Sequence, residues 1–461
     1  MTRGDSSRAE SASCPRLLLL LLLLPALLAA LSLASCAQVA SAPSGIDLQS
    51  LRSRPRASWT QPEREFAFAH WDEAFRSRTV PRGDRVRALP SGAVLPTFEP
   101  GGEGYRQLQR NVDDFQLAGI VVLHEGRLRL ERYDRGHSAG ARWTSFSMAK
   151  SLTSTLMGAA LRDGAVRGID DPLTGYIPEL KGSAYDGVTV RQLLTMTSGA
   201  RWNEDYTDPA ADVARFYSTR VEAGSDATVF YMRQLAREAP PGARWHYNTG
   251  ETNLLGVVLA RATGKDLATY ASEKIWSRYG METDATWTLD RSGHEQAGCC
   301  LQATTRDFAR FGQFVLEGAR VDGRAVVADG WIEAATRKQA DIGAPGRGYG
   351  YQWWTADDGT FSAIGIHGQQ IHVDPRRRLV VAINSAWPQA SFTPEALRAR
   401  IGLLSAIKKA LDAERHGALG TGTTAPRVAR LGAPGTCSVS AALSGSIPLE
   451  RATHSGCRTD R

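Results

Sequence analysis

Lysine is scarce in this chain. There are seven lysines against 48 arginines in 461 residues. No Lys/Arg block is interleaved with aromatic residues, so the basic balance of +7 does not describe a nucleic-acid-binding surface. No CxxC pair occurs among the six cysteines, which argues against structural zinc. Neither H-x-H-x-D nor H-E-x-x-H occurs, which argues against a metallohydrolase, and nothing in the sequence calls for a cofactor. No internal repeat is present. What remains is 42% hydrophobic and 22% charged residues, the balance of a globular protein with a sizeable core.

The one long apolar run is at the start. Arg3, Arg8 and Arg16 precede the leucine-rich stretch 17–33, interrupted by Pro25. A basic flank followed by an apolar run and small residues reads as an export signal. Leu33-Ala34-Ser35-Cys36 after it resembles a bacterial lipobox, which implies removal of residues 1–35 and a lipid on Cys36. By the same analogy, Ala37 after the cysteine suggests the periplasmic side of an outer membrane. Residues 36–60 are polar and suit a tether. Residues 413–461 are rich in Gly, Ala, Thr and Ser and read as a flexible tail. Cys437 and Cys457 lie in that tail, where an exported protein can join them. Cys299 and Cys300 are neighbours and are not expected to pair with each other.

The body, 61–412, has strands at both ends. Residues 118–133 alternate around Glu125-Gly126 as a hairpin. Residues 349–355, 361–375 and 377–385 read as an antiparallel meander turning at Asp374-Pro375. Helical patterns lie between, near 147–162, 189–197, 226–238, 251–263, 266–279 and 305–317. This order predicts an α+β domain whose antiparallel sheet is built from both chain ends, flanked by helices, with a helical subdomain.

One lysine stands out. The chain reads Trp143-Thr-Ser-Phe-Ser147-Met-Ala-Lys150, a serine and a lysine one helical turn apart. At i and i+3 they share a face. A serine hydroxyl needs a base to become a nucleophile, and a buried lysine can be one.

This segment resembles the active-site motif of the serine β-lactamase and penicillin-binding-protein superfamily. Further stretches at 188–202, 240–267, 298–319 and 365–384 are similar to that superfamily in order and spacing. Trp245-His-Tyr-Asn-Thr-Gly250 and Gly348-Tyr-Gly-Tyr-Gln-Trp-Trp354 look most like its 6-aminohexanoate-dimer hydrolase and esterase branch. The resemblance implies that Ser147 is acylated, that Lys150 is its base and that Tyr247, partly ionised beside the ammonium, relays a proton. Thr249 stands where the family has an asparagine. No K-[ST]-G occurs, and His367 takes its place, free to bond Tyr247 or a substrate oxygen. The resemblance further implies an oxyanion hole from the backbone N–H of Ser147 and of Gln370, and a substrate contact from Tyr206. Trp202, Trp353 and Trp354 are candidates for an apolar pocket wall. The expected activity is hydrolysis of small esters or linear amides. A β-lactamase or D,D-peptidase, or a non-catalytic sensor on the same fold, are the alternatives.

Overall fold

The computed structural model describes residues 45–222 and 224–420, with side chains through 416. The signal stretch, Cys36, Cys437 and Cys457 lie outside the described residues. Among those described, no helix is long and apolar enough to cross a membrane. The chain divides after Glu414, and of the second unit only the end of the last helix is described.

The first feature differs from expectation. Residues 45–60 are not a tether. Leu51 and Trp59 are buried, packed with Phe68 and Trp71. Thr60 then caps α1 (Gln61–Ala69): its hydroxyl accepts the Glu63 N–H, and the Glu63 carboxylate accepts the Thr60 N–H at 2.7 Å. This reciprocal cap contributes about 1 kcal/mol and fixes where the helix starts.

Strand β1 (Ser77–Val80) and helix α2 (Glu103–Asp113) lead to the hairpin β2 (Leu117–His124) and β3 (Arg127–Tyr133). Its two-residue turn, Glu125 at φ 52° and Gly126 at φ 73°, has the left-handed pair of angles that matches the strand twist. A short β4 (Arg142–Thr144) delivers the chain to Ser147. Then come α3 (Ala149–Arg162), a run of short helices, α4 (Thr249–Thr263), β5 (Ala285–Thr288), β6 (Leu301–Thr304) and α5 (Thr305–Leu316). The meander follows as β7 (Arg347–Tyr349), β8 (Trp354–Ala356), β9 (Phe361–Gly365), β10 (Gln369–Asp374) and β11 (Leu379–Ser385), and α6 (Pro394–Gly420) ends it.

The main sheet is antiparallel throughout, in the order β3-β2-β11-β10-β9-β8-β7. The first and last parts of the body thus meet at β2 and β11, as the sequence predicts. Alternation along the central strands feeds two cores. Val121, Leu123, Ile371, Val380 and Ala382 face α3 and α5. Ile120, Val122, Val381 and Ile383 face α2 and α6. A second sheet, β1-β5-β6-β4, braces the chain just before Ser147.

Helix α3 is buried all round, not on one face: every residue from Ala149 to Ala160 is buried. Its hydroxyls therefore need internal acceptors. Ser151 donates to the Gln352 carbonyl and Thr153 to the Ala297 carbonyl, both at 2.7 Å, and Thr155 bonds back to Ser151. Other predicted helices are shorter than their patterns. The 189–197 pattern yields Val190–Leu194, since Met196 turns to φ 57°. The 226–238 pattern yields Ala227–Met232, and Arg237 instead bridges Ala200. The 266–279 pattern is continuous but contains a π-turn over Ser272–Trp276.

Candidate active site

Ser147 is not in α3 but in the one-turn helix Phe146–Met148 that precedes it. The residue before it, Phe146, has φ 44°, a left-handed angle that a bulky side chain adopts at a cost of about 1–3 kcal/mol. The surroundings hold it there. The Phe146 carbonyl accepts from Ser145 Oγ at 2.9 Å and from the Cys300 N–H at 3.2 Å. Its ring packs edge-on to Phe68 and Trp71, at 4.9 and 5.3 Å between centroids. On the other side β9 presses in at Gly365, where a Cβ would stand 2.4 Å from the Ser145 carbonyl oxygen. Only glycine allows that approach. Ser147 itself is 8% exposed.

Lys150 is 1% exposed and its ammonium meets three oxygens: Ser147 Oγ at 3.0 Å, Thr249 Oγ1 at 3.0 Å and the Gly298 carbonyl at 2.7 Å. Burial lowers its pKa to about 8, against the opposing pull of the Glu204 carboxylate. About a tenth of it is then the free amine at pH 7. Such an amine can take the Ser147 proton across the existing bond.

Tyr247 precedes Asn248, which caps α4 through the Glu251 N–H at 3.2 Å. The phenol ring stacks on Trp354, 5.7 Å between centroids, and the Lys150 ammonium lies 5.1 Å from its centre. Its pKa is pushed up by burial and by the Glu204 charge, with a hydrogen bond to Ser147 pulling the other way. The expectation of a partly ionised phenolate is therefore corrected. Burial first, and the Glu204 charge with it, favour the uncharged form, and the group stays a neutral phenol.

One residue of the site, Glu204, was missed from the sequence, and Thr249 was noted only as a departure from the family's asparagine. Thr249 is not a substrate reader: it joins Lys150 to Glu204, accepting from the first and donating to the second. Glu204 also receives the Thr249 N–H at 3.1 Å, the Trp202 indole N–H and the Tyr206 hydroxyl. The signal was in Trp202-Asn-Glu204-Asp-Tyr206, where Tyr206 drew attention and the acid beside it did not. Tyr206 bonds Glu204, so the structure gives it an internal partner.

The other expectations fare differently. His367 is buried, tilted against Phe68 and Phe146 at 5.1 and 5.6 Å, and its Nδ1–H donates to the Trp387 carbonyl at 2.7 Å. Burial lowers its pKa to about 3, so it is a neutral ring beneath the nucleophile turn. No bond to Tyr247 is formed. Gln370 is corrected. It lies inside β10, paired with Ile364 on one side and Ile383 on the other, so its backbone serves the sheet. Its side chain turns to the α6 face, bonding Ser362 and Arg400. Trp353 is core and Trp202 is nearly so, while Trp354 lines Tyr247. Cys299 and Cys300 are joined by a disulfide, contrary to expectation, directly after the Gly298 carbonyl that holds Lys150.

A rival serine was also overlooked. Gly136-His-Ser138-Ala-Gly140 has G-x-S-x-G spacing. That motif needs a strand-to-helix elbow. Here it is an exposed turn between β3 and β4, and His137 bonds Thr305 instead, at 3.0 Å. A cavity of about 1320 Å³ lined by Arg76, Asp226 and Arg261 contains none of Ser147, Lys150 and Tyr247. Among the described residues no group of His, Cys, Asp or Glu is arranged to hold a metal.

A sheet built from both chain ends, a buried helix opened by Ser-x-x-Lys and a tyrosine at the head of the next long helix define a β-lactamase-type serine hydrolase. The chain belongs to this family: the Beta-lactamase family matches residues 106–404. The 6-aminohexanoate-dimer hydrolase of Paenarthrobacter ureafaciens is 31% identical over 373 residues, 77% of this chain and 94% of that protein. A Bacillus anthracis structure described as a candidate 6-aminohexanoate-dimer hydrolase superposes with a TM-score of 0.67 at 26% identity, over 77% of this chain and 96% of its own. A family VIII carboxylesterase shares the fold, with a TM-score of 0.52 at 17% identity, over 68% and 99%.

Proposed function

We propose that this hydrolase cleaves small esters or linear amides through an acyl-enzyme on Ser147. The observation that carries the reading is the buried Lys150 amine, 3.0 Å from Ser147 Oγ, with a pKa brought down to about 8. Lys150 takes the Ser147 proton as Oγ attacks the substrate carbonyl carbon. The N–H of Ser147 and that of Ile366, the residue after the close-packed Gly365, are the donors for the oxyanion. The neutral Tyr247 gives its proton to the leaving oxygen or nitrogen and recovers one through Ser147 and Lys150. Water then enters, is deprotonated by the same groups, and releases the acid.

Glu204 keeps this site from losing its proton store altogether, since its charge opposes the effect of burial on Lys150. The P. ureafaciens relative makes a linear ω-amino-acid amide a natural test substrate. At His367, where the family cation is expected, the ring is neutral and bonded to the Trp387 carbonyl, so that position offers no charge to a β-lactam carboxylate. We test this with p-nitrophenyl butyrate, nitrocefin, a D-Ala-D-Ala peptide and a 6-aminohexanoate dimer on one preparation. The ester or linear amide should show the highest kcat/KM. A higher value for nitrocefin overturns the reading.

The address follows from the leader sequence. We propose export and a lipid on Cys36. Mass spectrometry of the mature N-terminus checks it, and an unmodified terminus at another residue refutes it.

A further inference from the structure

Arg56 opens the one-turn helix Arg56–Ser58, held between the buried Leu51 and Trp59. Its guanidinium lies 5.8 Å from the Trp71 ring centre and 6.0 Å from that of Phe146, the residue bonded to Ser147. The polar groups that act on it are the hydroxyls of Tyr217 and Tyr206, which favour its charge against the cost of burial. The His367 imidazole in turn feels the charge of Arg56 and of Arg64. No carboxylate among the described residues pairs with Arg56. The nearby acids are engaged: Glu63 with Arg54, Glu65 with Arg135, Asp72 with Arg142. Arg64 is fixed by the Trp59 carbonyl at 2.9 Å and by Gln61 at 2.8 Å, so it steadies this turn and does not neutralise it.

A half-buried guanidinium without a counter-charge is costly, and folded chains normally pair such groups. Several arginines here are paired, as Arg129 with Glu414, Arg306 with Glu131 and Arg377 with Asp412 show, while the buried Arg64 and Arg400 lack an acid but donate to neutral protein oxygens. Arg56 departs from that rule near the nucleophile turn, where Tyr206, itself bonded to Glu204, stands between it and the nearest acid of the site. The aromatic rings around it present flat faces and hydroxyls but no anion. We propose that Arg56 binds a carboxylate carried by the substrate, so that the preferred ester or linear amide has an acidic end. The planar guanidinium fork matches a carboxylate in two parallel bonds, and the low-polarity surroundings strengthen them. The inference rests on the hydrolase reading of Ser147 and Lys150 and adds the chemistry of the substrate.

The test compares ester pairs that differ in one carboxylate. On the acyl side these are p-nitrophenyl hydrogen glutarate and p-nitrophenyl pentanoate. On the leaving-group side they are acetoxybenzoate and its methyl-substituted neutral counterpart. In one of the pairs the charged ester should have the higher kcat/KM, by about 10- to 100-fold, the range expected of a hydrogen-bonded charged group. Arg56→Gln should abolish that ratio, and Arg56→Lys, which keeps the charge but not the fork, should retain part of it. A ratio near one in both pairs, or one that survives Arg56→Gln, overturns the proposal. Turnover of no ester at all defeats the hydrolase reading instead. In that event glutarate binding decides, followed by tryptophan fluorescence: equal affinity for the parent and Arg56→Gln overturns the carboxylate site, and a loss of about tenfold or more supports it.

Discussion

On one side of the nucleophile turn, toward α3 and α4, Lys150 is met by three oxygens and backed through Thr249 by Glu204. On the other side, toward α1, Arg56 meets aromatic rings and phenols and no acid. Behind the sheet a third buried cation, Arg400, also has no carboxylate but donates to the Gly368 carbonyl, Gln370 and Ser385, with its Nε left unpartnered. The difference shows what each cation is for. One whose partners are all within the fold can trade protons there without recruiting anything. One held only over aromatic rings, with no hydrogen-bonded oxygen among the described residues, keeps its donors for a ligand.

The comparison breaks most severely at Ser147. Ser147→Ala should abolish labelling by a fluorophosphonate and lower kcat at least about 10⁴-fold, read by gel fluorescence and ester turnover. Labelling that persists, at Ser138 for instance, would assign the chemistry elsewhere. Lys150→Met keeps the length and burial of the side chain while removing the base. It should cost about 10²- to 10⁴-fold in kcat with the melting temperature kept or raised.

Glu204 sharpens the same side. Lys150 must be neutral to accept a proton, so kcat/KM should rise with pH through about 8 and fall tenfold per unit well below it. Removing the Glu204 charge makes the ammonium less favourable and lowers the lysine pKa further. The acid limb of the Glu204→Gln profile should therefore move to lower pH, and a move to higher pH would contradict the charge assignment. The smallest effect belongs to Gln370→Ala. It faces Arg400 across the sheet from Ser147, so turnover should change by less than about twofold, while stability falls by about 1–3 kcal/mol from two lost hydrogen bonds, to Ser362 and Arg400. A large loss of kcat would restore Gln370 to the oxyanion hole.

Ser147, Lys150 and Tyr247 were legible because each sits in a short local pattern: one helical turn, and one residue before a helix cap. The antiparallel pairing of β10 and β11 was legible from the turn at Asp374-Pro375 between 361–375 and 377–385. Glu204 and Thr249 were not, because 45 residues separate them and only the closing of the 202–206 loop on α4 joins them. Gln370 failed for a reason particular to sheets: in a central strand the backbone is shared between two neighbours, and a shift of one residue exchanges the faces. Residues 45–60 read as a tether because their composition is polar, yet Leu51 and Trp59 suffice to anchor them. Apolar positions that few and that scattered leave no period to detect.

That anchored strap sets a distance. The body begins no later than residue 45, nine residues on from Cys36. A fully extended chain spans about 3.3–3.6 Å per residue, so the lipid proposed on Cys36 would keep the hydrolase within roughly 30 Å of a bilayer. Held so close, the enzyme would sample a thin layer above the membrane in place of the whole periplasm. Acidic products would be released beside anionic headgroups, which repel them over about 10 Å at ordinary ionic strength.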